Sequence, residues 1–522
     1  MRSNHPVMEA VLVNKSQREP LSSSPRRRSL APLVGIFVSL TFLPAMSQEK
    51  PAPKPPVKAS SSTAPASWKQ IPIPPLHQFH PQEPKRVELP NGLVIFLQED
   101  HELPLIDGTI RIRGGHRDEP ADKVGLAPIY AEVWRTGGTK TKTGDELDDF
   151  LEMRAAHVEA APGADSTSLS WSSLKEDFDR VLPVVLDLLE NPEFRQDKID
   201  LAKQQLASLI SRRNDEVGEI AQREATRLAY GRDNPYARIP EYSTVAAITR
   251  DDLLNWHKRT VAPNNMILGI AGDFDPTLME SKLRDAFGKL AQGQPFPRTE
   301  IALHDPIPGI YFAEKDDVNQ STVEMVDLGI ERRSSDYYAV EVLNEAFGGG
   351  FSSRLFSNIR TRMGLAYSVG GGIGAAYDHP GIMRFSASTK SGSTAAVIDA
   401  LKKEIDDLIK DGVKSDEVQK AKDAILNSFI FAFDSKEKVL AERMAYEFYG
   451  YPADFLERYR AGIEKVTVAD VDRVARKYIH PEKLATLVVG NSKDFDRALD
   501  TFGKVTKVDI TIPQGPAKAS SK

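Results

Sequence analysis

The alternation of apolar and polar residues predicts a chain in which strands and helices are intermixed. Two apolar runs flank Asn91-Gly92, which predicts a β-hairpin, and Ile106 to Arg113 alternates with the period of two of a strand. A further strand passes through Thr167, Leu169 and Trp171, and helices are predicted over about 124–135, 145–156, 174–189, 197–213 and 217–230. This intermixing is typical of an α+β fold, with helices packed on a mainly antiparallel sheet.

The second half of the chain repeats the pattern of the first. The stretches 248–253 (Ile-Thr-Arg-Asp-Asp-Leu) and 466–471 (Val-Thr-Val-Ala-Asp-Val) each lead through a helix to a proline, a strand and a glycine, and all these features recur at the same offset. The pairs Tyr230-Gly231 and Tyr449-Gly450 recur at an offset only one position longer. A repeat on this scale predicts two homologous domains. We place them at 85–295 and 296–510, with the boundary in the segment 292–299 that contains Gly, Gln and Pro.

The segment 1–84 has the composition of an export signal followed by a linker. Residues 1–47 contain Arg26–Arg28, an apolar run from Leu30 to Leu43 and small residues before a predicted cut after Ser47. The alternative is an uncleaved membrane anchor, although this apolar run is short for a spanning helix. The segment 48–84 is predicted to be a proline-rich disordered linker, and 511–522 a disordered tail. We therefore predict a periplasmic or secreted protein.

Composition narrows the chemistry that the chain can perform. The 522 residues carry a net charge of −6, with 68 basic and 74 acidic residues, which argues against a general nucleic-acid binder. There is no cysteine, which excludes disulfides, Fe–S clusters and a cysteine nucleophile. Of ten histidines, the one close pair, His77 and His80, falls in the proline-rich segment and is a poor metal site. No long apolar run follows the signal, so stable membrane insertion is not expected.

Two other kinds of site are disfavoured by their motifs. No Gly-x-Ser-x-Gly element supports a serine hydrolase. The glycines at 348–350 and 370–372 are not followed by Gly-Lys-Ser/Thr, so phosphate binding has little support. The run Gly370-Gly371-Gly372 is instead predicted to form a flexible turn.

The duplicated layout carries two further motifs, Gly125-Leu126-Ala127 in the first half and Phe347-Gly-Gly-Gly-Phe-Ser-Ser-Arg-Leu-Phe356 in the second. With these motifs the chain, over about residues 85–510, resembles the insulinase/pitrilysin family of zinc metallopeptidases. It looks like the branch of the mitochondrial processing peptidases and the respiratory-chain core proteins. The resemblance implies two homologous domains that form half of a clam-shell chamber. In that family Gly-Leu-Ala precedes a helical His-x-x-Glu-His, which binds zinc and polarises the attacking water.

This chain lacks the zinc motif. Direct matching places Pro128 and Glu132 at the histidine positions and Ala131 at the base. A shift by one residue places Glu132 at the base and Ile129 and Val133 at the histidine positions, so neither register supplies a histidine. The helix expected to supply the distal ligand contains no acid from Leu206 to Ser211, and His116 and His157 lack ligand spacing. We therefore expect no metal in this chain, and we expect Glu132 to be an ordinary surface or salt-bridged acid.

The second half keeps the family's other signature. Arg360 and Tyr367, seven residues apart, match the Arg/Tyr pair that in relatives holds the substrate carbonyl and the developing oxyanion. The resemblance also implies substrate contacts at Gly349, Gly350 and Ser352. Ser352 or Ser353 is predicted to cap a helix that runs to Met363 and ends at Gly364, and Tyr367 to begin a strand. The alternative is a salt-bridged Arg360 and a packed Tyr367.

A chain with Arg/Tyr but no zinc motif suggests one half of a paired enzyme. The first hypothesis is an exported, zinc-less partner subunit, inactive alone, that forms a heterodimeric endopeptidase with a zinc-bearing subunit and acts on peptide substrates. The second is a non-catalytic peptide-binding or assembly protein similar to the core proteins. A third, a self-sufficient metallopeptidase with a rebuilt site, has no histidine cluster to support it.

Overall fold

The structure is a computed structural model that describes residues 82–298 and 300–513. The predicted signal 1–47, all but the last three residues of the linker 48–84, and the pair His77 and His80 lie outside these residues. Residues 514–522 of the predicted tail also lie outside them.

The first half of the folded chain contains six strands and eight α-helices within the described residues. The strands are β1 Lys85–Glu88, β2 Val94–Glu99, β3 Leu105–Arg113, β4 His157–Pro162, β5 Ser166–Leu174 and β6 Met266–Gly272. The helices are α1 Leu126–Thr136, α2 Gly144–Glu152, α3 Phe178–Glu190, α4 Gln196–Arg212, α5 Val217–Tyr230, α6 Tyr242–Ala247, α7 Arg250–Thr260 and α8 Pro276–Phe287.

The second half contains seven strands and six α-helices within the described residues. The strands are β7 Gly309–Glu314, β8 Gln320–Leu328, β9 Ile330–Glu331, β10 Ser368–Ala376, β11 Pro380–Lys390, β12 Ala485–Gly490 and β13 Val505–Lys507. The helices are α9 Tyr337–Asn344, α10 Thr394–Asp411, α11 Ser415–Ser428, α12 Lys436–Tyr449, α13 Phe455–Lys465 and α14 Val468–Tyr478. Two segments of the wider π-helix, Glu345–Gly349 and Phe356–Arg362, follow α9.

Each half is built on one mixed sheet, which confirms the predicted α+β class. The first sheet has the order β1-β2-β6-β3-β5-β4, and the second β13-β7-β12-β8-β11-β10-β9. The long central pairings, β3 with β5 and β8 with β11, are antiparallel, whereas β2 with β6 and β7 with β12 are parallel. Alternate residues of β3 and β11 are buried, as the period of two predicts.

The repeated sequence motifs have the same structural role in both halves. Thr249 and Thr467 each cap the helix that leads to the central parallel strand, and their hydroxyls accept hydrogen bonds from the backbone N–H of Asp252 and Asp470. Each aspartate in turn accepts a bond from the N–H of its threonine, a reciprocal capping box. The predicted ends of two other helices are displaced. The helix predicted over 145–156 ends at Glu152, and the one predicted from Leu174 begins at Phe178, because β5 continues to Leu174.

One helix of each half packs on the sheet of the other half. The buried face of α5, with Ile220, Ala225 and Ala229, lies against second-half sheet residues that include Val326 and Leu487. Conversely, α12 lies against the first sheet and buries three apolar side chains there, Leu440, Met444 and Phe448. We call α5 and α12 the crossover helices. Each crossover helix ends at one of the repeated Tyr-Gly pairs. The repeated pairs therefore mark equivalent positions in the two halves, at the end of the helix that packs on the other half's sheet.

The two halves are joined by an extended segment. The described residues of 291–308 contain neither helix nor strand, in the region where the sequence predicts the domain boundary. None of the helices formed by the described residues has the length and apolar character that a membrane crossing requires.

Candidate functional site

The glycine-containing motif of the second half extends from the end of one π-helical segment to the start of another. The first, Glu345–Gly349, continues α9, and the second, Phe356–Arg362, ends one residue before a turn at Met363. π-Helical turns are rare and are frequent at functional sites, because the extra residue in the turn redirects side chains. The motif that the sequence singled out therefore has an unusual backbone on both sides.

The chain reverses between Arg360 and Tyr367 and brings the ends of this turn together. Gly364 adopts φ +66°, and the backbone N–H of Leu365 donates to the carbonyl of Ile359 at 3.0 Å. The N–H of Tyr367 then donates to the carbonyl of Ser388 at 2.8 Å, which places Tyr367 directly before β10. The predicted helix end and strand start are thus both present.

Neither side chain of the pair has a hydrogen-bond or ion-pair partner within the described part of the chain. The guanidinium of Arg360 lies over the ring of Phe356, 4.6 Å from its centroid, and it has no carboxylate partner among the described residues. Tyr367 is 58% exposed, and its hydroxyl has no hydrogen-bond partner there. Phe351, 69% exposed, meets the ring of Phe356 edge to face at 4.9 Å. The two phenylalanines of the motif therefore form an aromatic surface beside Arg360, which sequence reasoning overlooked.

Buried and half-buried polar bonds hold this segment against α10 and α11. Arg354 donates to both carboxylate oxygens of Glu417, at 3.0 and 2.6 Å, and to the carbonyl of Gly412. The amide of Asn358 donates to Glu404 at 2.7 Å. Because bidentate Arg–carboxylate pairs fix orientation as well as distance, they give the turn that carries Arg360 a defined position.

The prediction that a serine side chain caps this helix is wrong. The Oγ of Ser353 is buried without a hydrogen-bond partner in the described part of the chain, and the first helical turn begins at Arg354. Ser352, the third predicted substrate contact, is exposed beside it. The backbone of Ser353 instead bonds within the turn, as its N–H donates to the carbonyl of Gly350.

The prediction of a flexible turn at Gly370–Gly372 is also wrong. These glycines lie inside β10, and the first glycine run packs against them: a Cβ on Gly348 would come within 2.3 Å of the carbonyl oxygen of Gly371. A Cβ on Gly372 would overlap Asn344, whose amide bonds both the N–H and the C=O of Ile373. The glycines therefore allow close contact between backbones.

Gly349 and Gly350 have a different neighbour. A Cβ on either residue would come within 2.8 Å of the carboxylate of Glu345, so the lack of side chains makes room for that acid. Both glycines are half-buried, Gly349 as the last residue of the first π-helical segment and Gly350 as the residue that follows it. The predicted substrate contacts Gly349, Gly350 and Ser352 are therefore neighbours on the segment that leads to Arg360.

In the first half, helix α1 occupies the place of the zinc-binding helix. Its start is fixed by Glu119, which is 4% exposed and accepts hydrogen bonds from the N–H groups of Gly125 and Ala127 at 3.2 and 2.7 Å. A carboxylate at a helix N-terminus is favourable because it meets unpaired N–H groups and the positive end of the helix dipole. The fold of this helix is therefore retained without the metal ligands.

The side chains on α1 do not fit a zinc ion. Pro128 is half-buried, Ala131 is buried and Glu132 is exposed, and in the shifted register Ile129 and Val133 are both in the core. Helix α4 packs on α1 as the resemblance implies, but Leu206 to Ser211 offer it no acid. Zinc sites need three or four His, Cys or carboxylate ligands, and no group of three such residues in the described chain could hold a metal.

The histidines near α1 have other surroundings. His116 is exposed, with Nδ1 3.7 Å from Glu119, and His157 is exposed at the start of the edge strand β4. His257, which sequence reasoning overlooked, is buried: its Nδ1 is 2.8 Å from the hydroxyl of Tyr130, and its Nε2 is 2.9 Å from the carbonyl of Leu189. Burial lowers the pKa of His257 to about 4. This histidine therefore braces α1 from inside the core as a neutral ring.

Both halves of the chain match known protein families. Residues 95–238 match the family described as insulinase (peptidase family M16), and residues 247–425 match the peptidase M16 inactive domain. A Rickettsia bellii protein named as an uncharacterized zinc protease is 26% identical over 361 residues, which cover 67% of this chain and 84% of that protein. A Helicobacter pylori protein named non-peptidase homolog YmxG is 23% identical over 76% of this chain and 92% of its own length.

Solved structures share the fold. The peptidase M16 inactive domain from Pseudomonas fluorescens superposes with a TM-score of 0.72 at 22% identity, over 78% of this chain and 98% of that one. A protease from Helicobacter pylori superposes with a TM-score of 0.70 at 19% identity, over 79% of this chain and all of the other. The two family matches, one in each half and together spanning most of residues 95–425, show that the chain belongs to the insulinase family of peptidases, peptidase family M16.

Proposed function

We propose that this chain is the zinc-less subunit of a heteromeric metalloendopeptidase. In this role Arg360 and Tyr367 bind the substrate carbonyl, and the oxyanion that develops on it, at the metal of a partner subunit. The observation that carries the proposal is the environment of the pair: an arginine without a carboxylate and a largely exposed tyrosine, at the two ends of one tightly held turn in the described chain.

A guanidinium and a phenol suit this chemistry. Both are hydrogen-bond donors, and donors fixed in advance stabilise a charge that grows in the transition state more than they stabilise the ground state. The aromatic face of Phe356 holds the Arg360 guanidinium without neutralising it, as a carboxylate would. The charge of Arg360 thus stays available to a ligand.

The test needs a zinc-bearing M16 subunit from the native host, which is first sought by co-purification with this chain and then reconstituted with it. Removal of one oxyanion donor typically lowers kcat by about 100- to 1,000-fold, so Arg360→Ala and Tyr367→Phe should each cause losses of this order while the pair still assembles. Arg362→Ala is the matched control, because Arg362 is exposed on the same π-helical segment. Peptidase activity with stoichiometric zinc in the isolated chain would refute the proposal.

A second candidate is a non-catalytic peptide-binding or assembly protein. It is favoured by the Helicobacter pylori relative named as a non-peptidase homolog. In this case the Arg360→Ala, Tyr367→Phe double variant would leave the activity of the reconstituted pair unchanged. The same assay therefore decides between the two functions.

We also propose that the chain is exported and acts in the periplasm or outside the cell. The support is the arrangement of basic residues, apolar run and small residues within 1–47. Amino-terminal sequencing of the protein from its native host should find Gln48 as the first residue. A protein that retains residues 1–47 would contradict the proposal.

A further inference from the structure

Each crossover helix is held from outside by one end of the folded chain. On the side of α5 lies the segment Val508 to Ile512, which we call the C-terminal strap; its residues Val508 and Ile510 pack against the apolar cluster that contains the buried face of α5. Helix α12 is contacted by Glu83 to Arg86, which we call the N-terminal strap. The two straps are unrelated in sequence, but they act on equivalent helices.

The C-terminal strap begins as a continuation of the second sheet. The N–H of Val508 donates to the carbonyl of Phe312 at 2.7 Å, one residue beyond β13. Val508 and Ile510 then pack against the apolar cluster in which α5 meets the second sheet. Ile512 packs against the core of the first half, so the strap crosses from one half to the other.

A polar bond ties the strap to the base of α5. The amide of Asn214 donates to the carbonyl of Ile510 at 2.6 Å, and its oxygen accepts from Arg223 of α5 at 2.7 Å. Arg223 also pairs with Glu224, which is 2% exposed. Asn214 thus connects the strap to a buried charge on the crossover helix.

The N-terminal strap holds α12 through ion pairs. The guanidinium of Arg86 donates to both carboxylate oxygens of Glu447, at 3.0 and 2.9 Å. One turn earlier on the helix, Nε of Arg443 donates to Glu83 at 2.6 Å. Arg443 is 7% exposed, so loss of Glu83 would leave a nearly buried charge without its carboxylate.

We propose that each strap sets the opening equilibrium of its own crossover helix and has little effect on the other. Helices open locally with free energies that depend on the contacts covering them. The straps supply contacts of different kinds: on the side of α5, apolar packing and a polar link through Asn214, and on α12, ion pairs. Each crossover helix packs on the sheet of the other half, so each strap stabilises one of these two contacts between the halves.

Hydrogen exchange in the full-length protein tests this directly. Deletion of residues 508–522 should accelerate exchange of the α5 amides at least about tenfold and leave α12 unchanged, whereas deletion of 514–522 should change neither. In the double variant Glu83→Gln, Arg86→Gln the effect should reverse, with faster exchange in α12 and unchanged exchange in α5. In each variant, the crossover helix whose strap is unchanged serves as the internal control.

If the deletion variant does not fold, the double substitution Asn214→Ala, Ile510→Ser in the intact chain replaces it. The same selective acceleration in α5 is expected. The proposal is overturned if exchange in both helices rises equally, which would mean a general loss of stability, or if exchange in neither helix rises.

Discussion

The hydroxyl of Tyr449 donates a hydrogen bond of 2.6 Å to the carboxylate of Asp165, in the other half of the molecule. Its counterpart Tyr230 donates to the carbonyl of Pro380 at 2.9 Å, again across the halves. Each crossover helix thus ends in a tyrosine bound to the hairpin turn of the opposite sheet. Arg111 completes the first contact, since it donates to the Tyr449 hydroxyl at 3.0 Å and lies 3.4 Å from Asp165.

The two tyrosines should differ in their contribution to stability. Tyr449→Phe should lower the free energy of unfolding by about 1.5–3 kcal/mol, because its partner is a carboxylate that is 8% exposed. Tyr230→Phe removes a bond to a neutral carbonyl and should cost about 0.5–1.5 kcal/mol. Urea denaturation of both variants checks this, and an equal or larger loss for Tyr230→Phe would contradict it.

Buried His257 should make the protein sensitive to acid. Its pKa in the folded protein is about 4, below the ordinary value of 6.5, because burial disfavours the charged ring. Its contribution to stability is therefore complete above pH 6.5 and is lost as the pH falls toward 4, a change of about 3 kcal/mol. Unfolding free energies across this range should depend less on pH in His257→Gln than in the parent. If the free energy of unfolding depended on pH equally in both proteins, groups other than His257 would be responsible for the acid sensitivity.

Glu341 should act in the opposite direction. Burial raises its pKa to about 7 despite nearby Arg332 and a hydrogen bond from Tyr459, with a smaller contribution from Glu345. A raised pKa means that the folded state holds the proton, so stability falls as the pH rises from about 4.5 to 7. Glu341→Gln should flatten this part of the profile, measured by thermal unfolding in a pH series. If the variant instead loses stability equally at pH 5 and pH 8, the carboxyl does not titrate there.

Gln98 is a site where a substitution should stabilise the protein. It is fully buried on β2, where by strand alternation it shares a face with Val94 and Phe96, which pack against α12. Both polar atoms of its amide lack a partner among the described residues. Because an unpaired buried amide costs free energy, Gln98→Met should raise the free energy of unfolding by about 1–3 kcal/mol at similar volume. Gln82→Met, at an exposed position, serves as the control. Lower stability of Gln98→Met would mean that the amide is satisfied in solution.

Local signals in the sequence were sufficient to predict the backbone structure of part of the site. Gly364 and the strand pattern after Tyr367 predicted the reversal that the structure contains. The serine cap failed because a serine before a helical pattern identifies a possible cap and cannot specify a π-helical backbone. The glycines at 370–372 were misassigned because a glycine run has the same appearance in a turn as in a strand, and the difference is the close approach of Gly348, a distant residue.

Of the two crossover helices, only α5 was predicted as a helix, over 217–230, and its packing on the sheet of the other half was not predicted. The apolar positions of α5 match one buried face, as the period of 3.6 residues requires. That period identifies a face and contains no information on which sheet covers it. Ile220 and Val326 are neighbours in one cluster although they belong to different halves of the sequence, a relationship that only the assembled fold reveals.

The exchange of helices also constrains how the protein can be made. During synthesis the first sheet emerges long before α12, so its outer apolar side chains, such as Phe96 and Ile267, stay uncovered until most of the chain has left the ribosome. Fragments corresponding to single halves would each expose a bare sheet and associate with one another or with themselves. We therefore expect the two halves to fold cooperatively, as one unit.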